Sequence, residues 1–293
     1  MRYSVYTLPV SLVAMVAAAT RGVARRMSTH YRKVGRRYER IARRVEKALV
    51  DGPRSSSDLR EIVDPEREHG ELFNIALSMM ATEFRLVRTT TTGSWRSDRY
   101  LYARWSDWLP DVDPSGVDEL DAKRELVERY VGAYGPVDVA DVKWWTGWTK
   151  ADTLEATDGI DLSRPGEAAS LLAGTRLLPV WDSIMVAYQK RNRLLDPSYA
   201  PLVYDRYGNA TSVVFHEGRV VGQWDLGGDD SPLSLRVAPF AEWSNGVWEG
   251  IEAQAFRIAD LIGTESVTVT PLEEPTDLLD ASRNRFLAPL AHR

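Results

Sequence analysis

Between residues 29 and 50, apolar side chains fall at Tyr31, Val34, Tyr38, Ile41, Val45, Ala48 and Leu49, with arginine at many of the positions between. That spacing follows the 3.6-residue period and predicts a helix with one buried side. Gly52-Pro53 ends it. Ser55 then stands three residues before Asp58, the pairing of an N-cap hydroxyl with a carboxylate that opens a second, short helix through Val63. A third helix is expected over residues 66–84, with Leu72, Ile75, Ala76 and Met79 on its apolar face. Residues 86–105 hold two β-rich runs around Gly93-Ser94 and predict a hairpin. Three helices and a hairpin describe a winged helix, whose third helix can enter a major groove while the hairpin touches the backbone or minor groove.

The same construction returns. GPRSSSDL begins at Gly52 and GPVDVADV at Gly135. In the second copy residues 120–131 form the long helix, Asp138 and Asp141 open the next one, and Thr149 with Asp152 opens another. The last third differs in kind. Residues 211–215 alternate as a strand, turn at Glu217-Gly218 and return through 219–224. A further strand over 233–237, a helix over 247–262 stopped by Gly263 and a closing SVTVT strand make a mostly antiparallel α+β unit. The expected boundaries are an N-terminal helical segment at 1–28, a winged helix at 29–110, a second at 117–180 and the α+β domain at 181–293.

At the N-terminus, residues 8–19 can be read as a secretory signal with an Ala-rich cleavage site. Pro9 and Ser11 interrupt the run, and the cationic segment behind it opposes export, so the expectation is a buried helix. Twelve residues are too few to span a bilayer, and no longer apolar run exists. Cytoplasmic residence and no membrane partner are expected.

Charge changes the picture more than composition does. The 293-residue chain is 44% hydrophobic, enough for real cores, and its net charge is −5. Yet from Arg21 to Lys47 eleven Lys or Arg stand against Glu39 and Glu46, a local +9 that leaves −14 for the remainder. Arginines this dense on one helix repel one another unless an anion neutralises them, and duplex phosphates would do so. The expected DNA contacts are Arg25, Arg26, Arg32, Lys33, Arg36, Arg37 and Arg40 in the basic segment, with Arg43 and Arg44 continuing its run. To these are added Arg88, Arg96 and Arg99 on the wing, and Lys190, Arg191 and Arg193 beyond it. The absence of cysteine excludes disulfides, thiolate metal sites and a Cys nucleophile. His30, His69, His216 and His292 lack metal-ligand spacing, and neither a phosphate loop nor a G-x-S-x-G elbow occurs, so neither metal nor cofactor is expected. Asp182 and Asp196 are weak catalytic candidates that serve equally well as turn caps. Trp144, Trp145, Trp148, Trp181 and Trp224 could stack on bases, although a core role is the better expectation for a tryptophan cluster.

The ordered run Leu178-Pro179-Val180-Trp181-Asp182, Tyr188, Arg191-Asn192-Arg193, Leu195-Asp196-Pro197 and 218–224 (GRVVGQW) resembles the bacterial winged-helix DNA-binding family that includes the AlkZ and YcaQ glycosylases. Residues 38–59 and 127–147 extend the resemblance over nearly the whole chain. It implies tandem winged helices, a C-terminal β-barrel-like domain and a basic duplex-DNA channel; a monomer is expected. In the glycosylases it also implies excision of alkylated or crosslinked bases. The family's glutamine-hydrophobic-glutamine motif, or its variant ending in aspartate, has no counterpart here. The chain holds only Gln189, Gln223 and Gln254. The resemblance therefore leaves three readings: an enzyme whose start lies upstream of this Met1, a non-catalytic DNA binder, and a winged-helix module that docks a protein partner.

Overall fold

A computed structural model describes residues 8–31, 35–93, 99–167, 173–205, 208–230, 233–264 and 266–272. The chain divides into two compact units, the boundary falling between Leu126 and Val127.

The first unit begins with α1 (Val10–Tyr31), in which Met15 to Ala19 and Val23 are buried. The apolar N-terminal run is thus a core helix. Small residues let it approach α4 (Glu71–Thr82) closely. Helix α2 (Gly35–Ala48) buries the expected stripe: Tyr38, Ile41, Ala42 and Val45, followed by Leu49 just past its end. Ile41, Val45 and Leu49 are essentially sealed from water, worth about 1.5–3 kcal/mol each relative to exposure. Tyr31 and Val34, expected on the same stripe, have side chains outside the described residues.

After a two-residue strand β1 (Arg54–Ser55), α3 (Ser56–Val63) opens with the expected capping box between Ser55 and Asp58. Helix α4 starts later than the periodicity predicts. Residues 64–70 are turns instead, because the buried Asp64 carboxylate accepts from the His69 amide at 3.2 Å, and Arg67 and Gly70 take positive φ. Leu72 and Ile75, expected on the apolar face, are only partly covered, while Phe73, Ala76, Leu77, Met79 and Met80 are buried. Strands β2 (Leu86–Thr91) and β3 (Tyr100–Arg104) pair antiparallel, and β1 joins on the far side of β3. A short helix α5 (Trp105–Trp108) follows.

Helix α6 (Glu119–Tyr134) runs across the boundary in sequence. In the second unit, α7 (Val139–Thr146) and α8 (Lys150–Thr157) carry capping boxes at Asp138/Asp141 and Thr149/Asp152, as the sequence predicts. The phenol of Tyr130 is buried and donates to the Ala187 carbonyl at 2.6 Å.

Strand β4 (Thr175–Leu178) then begins a five-stranded sheet of order β4-β5-β6-β7-β8, with β5 (Val213–His216), β6 (Arg219–Asp230), β7 (Leu233–Pro239) and β8 (Val267–Pro271). Between β4 and β5 lies a single-turn helix α9 (Ala200–Val203). Glu217 and Gly218 both take positive φ between β5 and β6, the backbone a two-residue hairpin turn requires.

Helix α10 (Asn245–Ile262) links β7 to β8, which therefore pair in parallel. Its Val247, Ile251, Ala255 and Ala259 bury against the sheet, and Gly250 lets it meet β4: a Cβ there would sit 2.3 Å from the Thr175 hydroxyl. The expected barrel-like closure is not what the described residues form. The sheet is open, with β4 and β8 at its edges, because α10 fills the face that a barrel would turn inward.

Candidate nucleic-acid interface

The basic face is a consequence of how α2 sorts its charges. Its buried stripe faces α3 and α4, so its arginines have to point outward. Its two acids, Glu39 and Glu46, sit seven residues apart and therefore share a flank. Arg85, at the foot of β2, reaches both: its Nε donates to Glu46 at 2.8 Å and a terminal nitrogen lies 3.4 Å from Glu39. Glu83 completes the cluster at 3.8 Å from Arg85 and accepts the Tyr38 hydroxyl. The Glu46 hydrogen bond and the neighbouring carboxylates hold the Arg85 guanidinium firmly protonated, despite the opposing effect of burial. Burial, and then Glu83, pushes the Tyr38 phenol well above its ordinary value.

Both carboxylates of α2 are thereby spent on a cation from another element. Arg37, Arg40, Arg43, Arg44 and Lys47 are exposed, and none of the five has a carboxylate or hydrogen-bond partner among the described residues. Helix α4, the third helix, is different. Its exposed positions are Glu71, Asn74 and Ser78, it contains no Lys or Arg, and Asn74 accepts from Arg60 at 2.9 Å. A helix so composed has no cation to offer a phosphate.

The remaining expected contacts are distributed. Arg25 is exposed and lies 3.6 Å from Glu119, and Arg26 is exposed beside it on α1. Arg32, Lys33 and Arg96, and the side chain of Arg36, lie outside the described residues. Arg88 stacks on the Tyr100 ring at 4.1 Å, and Arg99 is exposed just before β3. In the second unit the turn at 191–193 carries Arg191 over Tyr204 at 3.8 Å and Arg193 over Tyr188 at 4.1 Å, with Lys190 exposed next to them. Arg219, which sequence reasoning did not single out, donates to the carbonyls of Asn192 and Arg193 at 3.2 and 3.3 Å and braces that turn. Its position after a hairpin turn gave no signal of this role.

Both candidate acids are turn caps. Asp182 accepts from the Ile184 amide at 2.9 Å, and burial raises its carboxyl above the usual range. Asp196 accepts from the Ser198 hydroxyl at 2.6 Å and amide at 2.9 Å, bonds that hold its carboxyl below that range. Of the tryptophans, Trp148 and Trp224 are core residues at 4% and 8% exposure, whereas Trp181 is 55% exposed. Trp144 and Trp145 are partly covered.

A mixed α/β chain that spends its helix's acids elsewhere and leaves an arginine face open has the make-up of a protein that meets a polyanion. Residues 1–261 match the model of the DNA glycosylase AlkZ-like family, and the chain belongs to that family. Its fold is similar to that of Streptomyces sahachiroi DNA glycosylase AlkZ, with a TM-score of 0.64 and 17% identity over 89% of this chain and 76% of that one. Among curated proteins no sequence matches it. No helix is long and apolar enough to cross a membrane, and no three His, Asp or Glu side chains gather as a metal site, both among the described residues.

Proposed function

We propose that this chain is a DNA-repair protein that holds duplex DNA through the exposed arginine face of α2. In this reading α2, α3, α4 and the β2/β3 hairpin are a winged helix that departs from the usual docking: its first helix follows phosphates and its third stays out of the groove. The observation that carries it is the withdrawal of Glu39 and Glu46 onto Arg85, which leaves Arg37, Arg40, Arg43 and Arg44 without a counter-ion among the described residues. Phosphates supply it, and the contacts carry no base information, so little sequence preference follows. Helices α6, α7 and α8 repeat the first copy's construction and form a second module of the same kind. The protein acts as a monomer in the cytoplasm.

Family membership favours base excision as the associated chemistry. The capping roles of Asp182 and Asp196 favour a second reading, in which these 293 residues bind DNA without cleaving a glycosidic bond. A carboxylate tied to a turn amide is poorly placed to activate water.

The test is a titration of labelled duplex at several salt concentrations, with a long incubation of excess protein on an N7-alkylguanine duplex. Binding that weakens steeply with salt supports the reading, and no binding at low salt refutes it. Strand breaks at the lesion above spontaneous depurination, developed by cleaving abasic sites with an endonuclease after the incubation, would restore the enzyme and overturn the second reading.

A further inference from the structure

Arg43 sits between the two acids of α2. Glu39 is four residues before it and Glu46 three residues after, the spacings at which side chains on one helix face meet, and glutamate ahead of the cation is the more favourable order. Left to the helix alone, the carboxylates would close on Arg43 and cancel the cation in the middle of the exposed face. The folded chain does otherwise. Both acids turn to Arg85, at 2.8 and 3.4 Å, and Arg43 is exposed with no acidic partner among the described residues.

The backbone around Arg85 aims it at them. Helix α4 closes in a Schellman motif: the Phe84 amide donates to the Ala81 carbonyl at 3.3 Å and the Arg85 amide to the Met80 carbonyl at 2.9 Å. Helices usually give the left-handed residue of this motif to glycine, yet Phe84 occupies it at φ +58, with its ring edge-on to Trp105 at 5.2 Å. The Arg85 carbonyl accepts the Trp105 amide at 3.0 Å, and its guanidinium lies 5.9 Å from the Tyr38 ring. Anchored through both backbone groups, Arg85 offers a planar fork to two carboxylates on successive turns, where an ammonium would offer one point of charge. Its side chain is only 23% exposed, and with Glu83 at 3.8 Å three carboxylates surround it and repel a phosphate.

We propose that Arg85 is a positioning residue for DNA binding: it makes no phosphate contact itself, but keeps Glu39 and Glu46 off Arg43 and so leaves Arg43 open to the duplex. The inference rests on the reading that α2 follows phosphates. It adds that the helix carries its own competitors for those contacts, restrained by one residue of another element.

The experiment is a double-mutant cycle on the full chain, Arg85→Met and Arg43→Gln singly and together. The readout is the slope of log K against log salt for a labelled duplex, by fluorescence anisotropy, with a thermal melt of each variant. In the wild-type background Arg43→Gln should make the slope shallower by about 0.9, roughly 3.5-fold in affinity between about 50 and 200 mM salt. Arg85→Met alone should do about the same. Adding Arg43→Gln to Arg85→Met should then change the slope by less than about 0.3, because Arg43 is already neutralised. Replacing Glu39 and Glu46 by glutamine in the Arg85→Met background should return the effect of Arg43→Gln to about 0.9, which a merely structural role for Arg85 would not do.

Additive slopes, with Arg43→Gln losing its full contact whether or not Arg85 is present, overturn the inference and leave α2 standing as the DNA-binding face. No duplex binding by the wild type at low salt, or a wild-type slope that Arg43→Gln leaves unchanged, overturns both. Should Arg85→Met unfold, Arg85→Lys takes its place in the cycle. One ammonium cannot hold both carboxylates, so Arg43→Gln should then lose less than about half of its wild-type effect on the slope, and loss of the full amount refutes the proposal.

Discussion

Replacing Arg37, Arg40, Arg43 and Arg44 together by glutamine removes four exposed cations, none with a protein partner among the described residues. The four span eight residues of helix, about 10 Å of axis. A duplex carries one phosphate charge per about 1.7 Å of its axis, so each arginine can find its own phosphate. Every contact contributes about 0.9 to the slope of log K against log salt, so four make it steeper by about 3.6. Between roughly 50 and 200 mM salt that slope amounts to about 150-fold in affinity, which the variant should no longer lose. Glutamine is nearly as good a helix former as arginine and the positions are exposed, so stability should change by less than about 1 kcal/mol. The assay is anisotropy against salt, with a thermal melt of each protein alongside. A control places the third helix: Glu71→Lys gives α4 a cation and is expected to alter affinity less than twofold. An unchanged salt slope in the quadruple variant, or a tenfold gain from Glu71→Lys, would refute the assignment of binding to α2.

Arg236→Met should lower the urea midpoint by the equivalent of about 1–3 kcal/mol. Asp225, with 1% side-chain exposure, loses its two bonds of 2.7 and 2.6 Å, though Arg236 at 38% exposure leaves a way for water to reach it. Gly250→Ala forces a methyl group against Thr175 and should cost about 1–3 kcal/mol in the same measurement. For Asp182, burial raises the folded-state carboxyl, so its contribution to stability is full below the unfolded value and is lost as pH rises through the folded one. Asp182→Asn keeps an oxygen for the Ile184 amide and carries no charge, so its melting temperature should match the wild type in acid and exceed it at neutral pH. A variant that is less stable at neutral pH would count against burial as the cause.

Much of the local architecture was legible beforehand. The capping boxes at Ser55, Asp138 and Thr149, the turn at Glu217-Gly218 and the Gly263 stop involve partners within a few residues, so composition at those positions is nearly sufficient. The buried stripe of α2 follows from helical geometry alone, and its excess of arginine was visible by counting. Long-range pairings were not legible. Nothing near Glu39 or Glu46 indicates that Arg85 will claim both, and that pairing is what makes one face of α2 wholly cationic. The five tryptophans looked alike in sequence, yet Trp224 is sealed with its indole N–H on the Leu178 carbonyl while Trp181 faces water. The start of α4 depended on Asp64 capturing the His69 amide, and the open sheet depended on α10 crossing from β7 to β8. In each case the deciding partner is brought close by the packing of other elements. A side chain's neighbours along the chain determine its propensity, whereas its charge balance, exposure and register are determined by groups that only the folded chain brings within reach.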